Sequence, residues 1–301
     1  MRNATFLTAT SIVFATALPV MSQDTPAPVG PPSWFEWDHA TGDRGGTRSR
    51  LKDRGIDFAL NLTGDFLANP EGGEEQGSAA AYRAYSSIAL DFEKLSGVRG
   101  LSFYLAAMAA GGQNISEDDI GNVFRVAQVY SGDEPRLAEL YFEHTLAHGI
   151  VEFAIGRLAT GTDFVAAKSF DYYVSGGING NPGGIDENFP SFTGSPFVQW
   201  GARVTVTPSD LFYVSAVVYN AGPDVQNESN NGVDFTLNPE DGVLTLVEVG
   251  LTPNQGPLSN GLPGRYAISG VFDSSDYETL QDPDDVKSGN HGFYAIAEQM
   301  I

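Results

Sequence analysis

The chain has 301 residues, with 16 Lys and Arg against 38 Asp and Glu and a net charge of −22. This acidity argues against nucleic-acid binding through a phosphate-neutralising surface, and the absence of cysteine excludes disulfides and thiolate metal sites. Mean hydropathy is −0.15, and no stretch beyond the N-terminus reaches the roughly eighteen apolar residues of a membrane-spanning helix. A transmembrane strand needs only about 9–11 residues with one apolar face, so these data leave a membrane β-barrel open.

The N-terminus has the form of an export signal followed by a spacer. Arg2 precedes a short apolar stretch, Phe6–Leu18, and small residues follow it. This pattern predicts a signal peptide over residues 1–22. Residues 23–33 are rich in proline and predict a stiff spacer. We expect a mature domain over residues 34–301.

Beyond residue 56, apolar-patterned segments are joined by connections that are alternately long and short. The first long connection is Ala68–Tyr82, the longest insert is Thr160–Pro196, and tight turns are expected at residues 96–98, 147–149 and 208–210. Ten segments qualify as strands, and they include Asp57–Leu67, Arg83–Leu95, Arg99–Ala110, Arg136–Leu146, Ile150–Ala159, Phe197–Thr207, Leu211–Asn220 and, as the last, Gly292–Ile301.

This rhythm predicts an all-β fold, an antiparallel up-and-down transmembrane β-barrel. In outer-membrane barrels the short turns face the periplasm and the long loops face outside. A short N-terminal helix, Arg44–Arg54, is expected before the first strand, with Asp43 as its cap and Gly55 at its end.

Side chains within the segments alternate between apolar and polar, as strands between two different environments require. One face of the first strand carries Phe58, Leu60, Leu62 and Phe66. The same alternation places Val198 and Trp200 on an apolar face, toward lipid. A soluble β-sandwich would alternate too, so a secreted lectin or adhesin remains an alternative.

Ten short motifs form a recognisable set. They are Trp37–Gly46, Arg48–Ile56, Asp91–Leu95, Ile120–Asn122, Arg136–Glu143, Gly156–Leu158, Ile178–Gly180, Trp200–Val204, Tyr219–Ala221 and Leu262–Gly264. Together they resemble the carbohydrate-selective (OprB-type) porins of Gram-negative outer membranes. The resemblance implies a barrel of about sixteen strands that passes sugars by diffusion, with extracellular loops folded into the lumen as a constriction. It implies a monomer and leaves a trimer open.

Two features depart from the family pattern. Arg44 stands where the pattern usually has a second Trp, and the chain ends at Ile301 without the terminal aromatic residue typical of outer-membrane barrels. With about ten strands present, we expect the sequence to be a C-terminally truncated piece of a longer barrel.

A sugar pore needs aromatic rings to cover sugar faces and polar groups to exchange hydrogen bonds with hydroxyls, bound weakly enough to permit release. The long insert, Thr160–Pro196, offers Phe170, Tyr172, Tyr173, Asn179 and Phe189. Its alternative role is an extracellular cap whose aromatic residues pack only on each other. The charged lumen candidates are Glu139, Glu143 and Arg203, with Arg125 and Arg157 near the loop bases. Opposed across a pore, such charges would orient polar solutes.

No enzyme or metal site is predicted. Glu143, His144 and His148 form E-H-x-x-x-H rather than the metalloprotease H-E-x-x-H, and neither a nucleophile elbow nor a phosphate loop occurs. We expect no cofactor, an outer-membrane location, and small sugars, lipid and lipopolysaccharide as partners. A general diffusion porin is the other open alternative. Acidic loops predict a mouth that disfavours anionic sugars, less so as salt rises.

Overall fold

In the part of the chain that the structure describes, ten antiparallel strands form one sheet, in which each strand pairs with its neighbours in chain order. The computed structural model describes residues 39–301 apart from 131, 133, 134, 183, 223, 224, 226, 256–258, 260 and 280–284. The expected signal peptide and spacer lie outside the described residues. The strands are β1 Ile56–Asn69, β2 Gly77–Asp91, β3 Leu101–Gly112, β4 Arg136–Leu146, β5 Val151–Leu158, β6 Gln199–Ser209, β7 Phe212–Asn220, β8 Val243–Leu251, β9 Gly264–Glu278 and β10 Val286–Gln299.

Helical segments are short and lie outside the strands. The α-helices are α1 Thr47–Asp53, α2 Phe92–Ser96, α3 Thr160–Asp163 and α4 Gly184–Asn188; single 3-10 or π turns are Ser116–Ile120, Ala147–Gly149, Lys168–Tyr172, Glu228–Asn230 and Pro239–Asp241. Within the described residues, no helix combines the length and apolar character needed to cross a membrane. The predicted up-and-down β architecture with a short N-terminal helix is confirmed.

The first predicted long loop, Ala68–Tyr82, is wrong. β1 runs to Asn69 and β2 begins at Gly77, so the connection is only residues 70–76. The small residues that resemble a loop in sequence belong to the ladder: Ala79 pairs with Leu67 and Ala81 with Asp65. Both alanines are buried, because their small side chains face the covered side of the sheet.

The strand predicted over Arg83–Leu95 ends early, at Asp91. The Asp91 carboxylate accepts hydrogen bonds from the backbone N–H groups of Glu93, at 3.0 Å, and Lys94, at 3.3 Å. The first backbone N–H groups of a helix have no partner within the helix, and the Asp91 carboxylate satisfies two of them. Asp91 therefore ends β2 and caps α2.

The N-terminal helix begins three residues later than predicted. Gly45 and Gly46 take φ values of 68° and 82°, which lie outside the helical region, so α1 starts at Thr47. Asp43 no longer directly precedes the helix, but it caps the first turn as expected. Its carboxylate accepts from the Ser49 backbone N–H at 2.8 Å and the Ser49 hydroxyl at 3.0 Å.

The sheet has an exposed apolar outer face and an inner face that the long insert covers. Apolar side chains that remain exposed on the outer face include Phe58, Leu60, Leu62, Phe66, Ile88, Phe142, Phe153, Ile155, Val204, Val218, Val247, Val249, Ile268, Phe272 and Phe293. Soluble proteins rarely expose contiguous apolar surface of this extent. A second sheet would cover such a face in a β-sandwich, so the sandwich alternative does not fit.

Tyrosines of β7 lie directly over glycines of the neighbouring strands on the inner face. A Cβ on Gly250 would approach Tyr213 Cε1, and one on Gly201 would approach Tyr219 Cδ1, each more closely than non-bonded carbon atoms allow. These pairs are direct cross-strand partners. The glycines therefore provide the space in which the two rings lie flat against the sheet.

Gly250→Val should destabilise the fold, because the new side chain would displace the Tyr213 ring and break its hydrogen bond to Glu248. Overpacking of this kind costs about 1–3 kcal/mol. The measurement is the midpoint of urea unfolding in lipid vesicles. Gly270→Val is the matched control, since Gly270 lies on the outer face of the adjacent β9, where a Cβ would have no neighbouring atom within 4 Å. Equal midpoints for the two variants would contradict the prediction.

Candidate functional site

The long insert enters the space enclosed by the sheet and packs there through its own aromatic residues. Phe164, Phe189 and Phe192 are buried against inner-face side chains of β7, β8 and β9. The wall residues are Val217, Tyr219, Leu244, Leu246 and Val271. The inner face is thus apolar where the insert rests on it. This packing fixes the second half of the insert against the sheet.

This arrangement corrects one predicted site residue. Phe189 was expected to offer its ring to a sugar, but it is buried in the packing between the insert and the sheet, next to Gly292 of β10. Its role is structural. The sequence could not separate a ring that holds the insert from a ring that faces the cavity, because both kinds lie in the same loop.

A cluster of charges on β4, β5 and β6 holds the start of the insert; we call it the Arg203 cluster. Arg203 lies 3.2 Å from Glu143 and 2.5 Å from Glu152, and it forms an ion pair with Asp163 of α3. The arginine side chain is only 9% exposed. Burial raises the pKa of Asp163, and the Arg203 guanidinium opposes that rise. The cluster contains more carboxylates than cations. Its carboxylates can therefore stay ionised together only because Arg203 lies among them.

Glu139 extends this cluster on the same wall. Its carboxylate accepts from the Tyr85 hydroxyl of β2 and from the Thr162 hydroxyl of the insert, each at 3.3 Å. Glu139 is buried. The contact with Thr162 adds a second point at which β4–β6 hold the insert.

A second group, the Glu248 cluster, lies on β7–β10. Glu248 is buried and accepts from the Tyr213 hydroxyl at 2.6 Å and from Arg265 Nη2 at 2.8 Å through one oxygen. Its other oxygen accepts from the Tyr294 hydroxyl at 2.5 Å. Arg265 then donates to the Ala166 carbonyl at 2.5 Å. Glu248 thereby orients two side chains that in turn hold the insert backbone.

Residues Thr162–Ser169 run from one cluster to the other, and we call them the crossing segment. Their contacts are Thr162 with Glu139 of β4, Asp163 with Arg203 of β6, Val165 N–H with the Tyr294 hydroxyl of β10 at 3.2 Å, Ala166 with Arg265 of β9, and Ser169 with Glu298 of β10 at 3.0 Å. The segment therefore spans the enclosed space from β4 to β10. A strap of this kind narrows any passage along the inner face.

A cavity of about 1730 Å³ lies beside the crossing segment. Its walls come from β2, the β3–β4 connection, the insert, the β6–β7 turn, the β8–β9 connection, β9 and β10. The polar and aromatic residues on these walls include Arg83, Arg125, Gln128, Tyr130, Asp163, Lys168, Asp171, Tyr172, Asn179, Asn181, Arg265 and Glu298. Hydrogen-bond donors, acceptors and rings thus share one water-accessible space.

The charged residues predicted to oppose each other across a pore lie side by side instead. Glu139, Glu143 and Arg203 come from adjacent strands of one wall and are engaged by each other or by the insert. The prediction of opposed charges is wrong in that respect. The alternation of apolar and polar residues predicts correctly that each of these side chains lies on the inner face. The path of the insert decides what each of them contacts.

Three of the predicted insert and loop-base residues line the cavity: Arg125, Tyr172 and Asn179. Tyr172 is 89% exposed, so its ring is open to a solute. Phe170 and Tyr173 belong to the same part of the insert but do not line this cavity. The Asn179 side-chain amide donates to the Tyr173 carbonyl, which fixes the fold of this part of the insert.

Arg157 does not face the inner space. It pairs with Leu140 and Trp200, and it lies on the same outer face as the exposed Ile155. The β7–β8 connection covers it: Arg157 donates to the Asp234 carbonyl and packs at 5.2 Å from the Phe235 ring. Its prediction as a lumen residue is therefore wrong.

The same connection alters the expected surroundings of two residues of the outer face. Trp200 is half-buried, and its indole N–H donates to the Phe235 carbonyl at 3.0 Å. Val198 precedes β6 and is buried, so the prediction of a lipid-facing position for it is wrong. When a loop folds back over the outer face of a strand, the alternation of apolar and polar residues in that strand does not reveal it.

Several site residues escaped the sequence analysis: Arg83, Asp163, Glu248, Arg265 and Glu298. Two of them had a usable signal, since Glu248 and Arg265 are charged residues at inward positions of β8 and β9, and Glu248 is the one charged residue of β8. Asp163 had none, because its partner Arg203 is distant in sequence, on the far side of a loop.

Within the described residues, no group of three or more His, Cys, Asp or Glu side chains is arranged to hold a metal ion.

Comparison with known proteins identifies the family in which this architecture occurs. Residues 75–301 match the family described as "Carbohydrate-selective porin, OprB family". The chain belongs to this family. Among curated relatives, Porin B of Pseudomonas aeruginosa is 27% identical, over 86% of this chain and 60% of its own length. The chain thus spans less than two thirds of that relative.

A solved structure shows the same fold as this OprB-family chain. The high-pH structure of Pseudomonas putida OprB aligns with a TM-score of 0.79 at 23% identity, over 88% of this chain and 66% of the other. The low-pH structure of the same protein aligns with a TM-score of 0.50. The family resemblance inferred from the ten motifs is confirmed, and so is the up-and-down β fold.

Proposed function

We propose that this protein is an outer-membrane porin that allows passive, carbohydrate-selective diffusion of monosaccharides or small oligosaccharides through a constricted aqueous lumen. Family membership supports a porin role, and the apolar outer face suits a position in lipid. The observation that carries sugar selectivity is the crossing segment, which spans the inner face beside a cavity with exposed polar and aromatic groups.

The constriction favours sugars over other solutes of equal size for a physical reason. A pyranose has an apolar ring face and a rim of hydroxyls, and the walls of the cavity carry the Tyr172 ring and the amides of Asn179 and Gln128. Each of these contacts is weak and exposed to water. A solute can therefore bind briefly and leave, as flux requires.

The remaining features of the proposal concern the setting of the pore. Residues 1–22 would direct export, residues 34–301 would form the barrel domain, and lipid and lipopolysaccharide would surround it. The pore would need neither cofactor nor catalysis, and it would act as a monomer, as the family resemblance implies.

Liposome swelling tests the proposed function. We expect vesicles carrying the full-length protein to admit glucose faster than an amino acid of equal size, with excess unlabelled glucose competing in tracer uptake. A flux ranked only by solute size would instead identify a general diffusion porin. Vesicles with correctly inserted protein and no flux would overturn the pore proposal altogether.

A further inference from the structure

Three cations of the described residues face the cavity without an ion-pair partner there. Of the four basic residues that the structure places on its walls, Arg265 pairs with Glu248 and Glu298, at 2.8 and 3.9 Å. Arg83, Arg125 and Lys168 form no salt bridge within the described part of the chain. In a protein with a net charge of −22, unpaired cations gathered in one cavity call for an explanation.

The three cations come from three separate segments of the chain, and the contacts of two of them meet around Gln128. Gln128 N–H donates to the Val174 carbonyl at 2.9 Å, and Gly176 N–H donates to the Arg125 carbonyl at 2.7 Å. These bonds join the β3–β4 connection, which carries Arg125, to the insert, which carries Lys168. Arg83 of β2 reaches the same place, since its guanidinium lies 3.5 Å from the Gln128 side-chain oxygen.

The two arginines have hydrogen-bonding capacity to spare. The Arg125 guanidinium donates from Nη1 to the Tyr130 carbonyl at 2.8 Å, and the Arg83 guanidinium donates to Gln128. An arginine has five N–H donors and a lysine three. Asp65 of β1 is close enough to Arg83 to interact with it but forms no salt bridge with it. A solute with several oxygens would find free donors from both arginines, and Lys168 lines the same cavity.

The acidic residues of the cavity do not cancel this charge. Asp163 is paired with Arg203, and Glu298 accepts from Ser169 and lies near Arg265. Asp210 belongs to the β6–β7 turn at the opposite end of the strands from the β3–β4 connection. Among the described residues of the insert, Asp171 is the one exposed acid on these walls. The part of the cavity around Arg125 therefore has an excess of positive charge.

We propose that the cavity binds hydroxylated carboxylates, that is, sugar acids such as uronates and aldonates, in preference to neutral sugars. This inference rests on the proposed function and names the solute class for the same pore. The carboxylate would lie beside Arg83 and Arg125, Lys168 would add positive charge from another part of the cavity wall, and the hydroxyls would contact the neighbouring amides. This preference is the reverse of the one expected from the acidic loops, which would disfavour anionic sugars. The loop charges act at a distance and are screened over about 8 Å at physiological salt, whereas the cations of the cavity act in contact.

The test is block of the ion current of the full-length protein in planar bilayers by D-glucuronate, D-glucose and D-glucosamine. We expect glucuronate to bind more tightly than glucose, and glucosamine less tightly. Replacing Arg83, Arg125 and Lys168 together by Gln should lower the glucuronate-to-glucose preference by about tenfold, since each exposed charge contact contributes roughly two- to fivefold. Arg125→Gln alone should lower the preference by roughly two- to fivefold, whereas Arg99→Gln, which removes one positive charge in the β2–β3 turn, should leave it unchanged.

The outcomes separate this inference from the proposed function. If glucose blocks the current but glucuronate binds no better, or if the triple variant keeps the preference, the sugar-acid site is wrong while the sugar porin stands. If Arg99→Gln lowers the preference as much as the triple variant, overall charge rather than the cavity is responsible, and the site is again wrong. A protein that forms no channel would overturn both.

Discussion

Arg203→Gln should lower the free energy of unfolding by about 3 kcal/mol at neutral pH, which is the lower end of the cost of breaking a buried ion pair. The substitution would leave Asp163, Glu143 and Glu152 facing each other without a cation. We choose the lower end because the Glu152 side chain is 39% exposed and water would relieve part of the repulsion. The measurement is urea unfolding in lipid vesicles, with Arg99→Gln as a control of equal charge.

The loss caused by Arg203→Gln should shrink as the pH falls. Burial already raises the pKa of Asp163, and removal of the opposing arginine would raise it further. Acidification then protonates Asp163 more readily in the variant than in the native protein, which removes one of the charges that repel each other. An equal gap between the native protein and the variant at neutral and acidic pH would contradict this account, as would a stability loss no larger than that of Arg99→Gln.

Arg265→Met should loosen the part of the crossing segment that follows the buried Phe164 and so widen the proposed pore. Arg265 is the side chain that holds the Ala166 carbonyl, and it lies near Glu298, which holds Ser169. Without it, the far end of the segment loses its attachment to β9. We expect single-channel conductance to rise at least about twofold, because a barrel without an obstructing loop is an open aqueous channel, and the preference for sugars to fall with it.

A second variant separates this release from misfolding. Arg265→Met alone leaves Glu248 buried without its cation, which is destabilising. Combining it with Glu248→Gln removes the unpaired buried charge, and the amide oxygen of Gln can still accept from the Tyr213 and Tyr294 hydroxyls. We expect the double variant to regain stability and still show the higher conductance. Native conductance in a stable double variant would show that Arg265 does not hold the segment.

The sequence predicts the strands well because their signal is local. Alternation with a period of two places Phe58 and Leu60 outside and Arg203 inside, and the bounds of β4, Arg136–Leu146, agree with the structure. The tight turn at residues 147–149 is also where it was expected. These features depend on neighbours only a few positions away, so the local pattern of the chain is enough to reveal them.

The site is predicted less well because it depends on contacts between distant residues. Asp163 meets Arg203 only because the insert folds inward, and Arg157 is covered only because another loop folds back over the outer face. Composition marks the insert as important but does not say which of its rings pack and which stay exposed. Phe189 and Tyr172 look alike in sequence, yet one is buried and the other faces the cavity.

The aromatic packing of the insert also has an electrical consequence. Fully burying an aromatic or large aliphatic side chain is worth about 1.5–3 kcal/mol, so three buried phenylalanines anchor the insert by roughly 5–9 kcal/mol. At that cost the insert would leave its place in only about one molecule in a few thousand or fewer. The current through a single channel should therefore stay at one level at constant voltage, without brief transitions between levels. The reason is that the insert, which narrows the proposed pore, is packed like the core of a soluble domain.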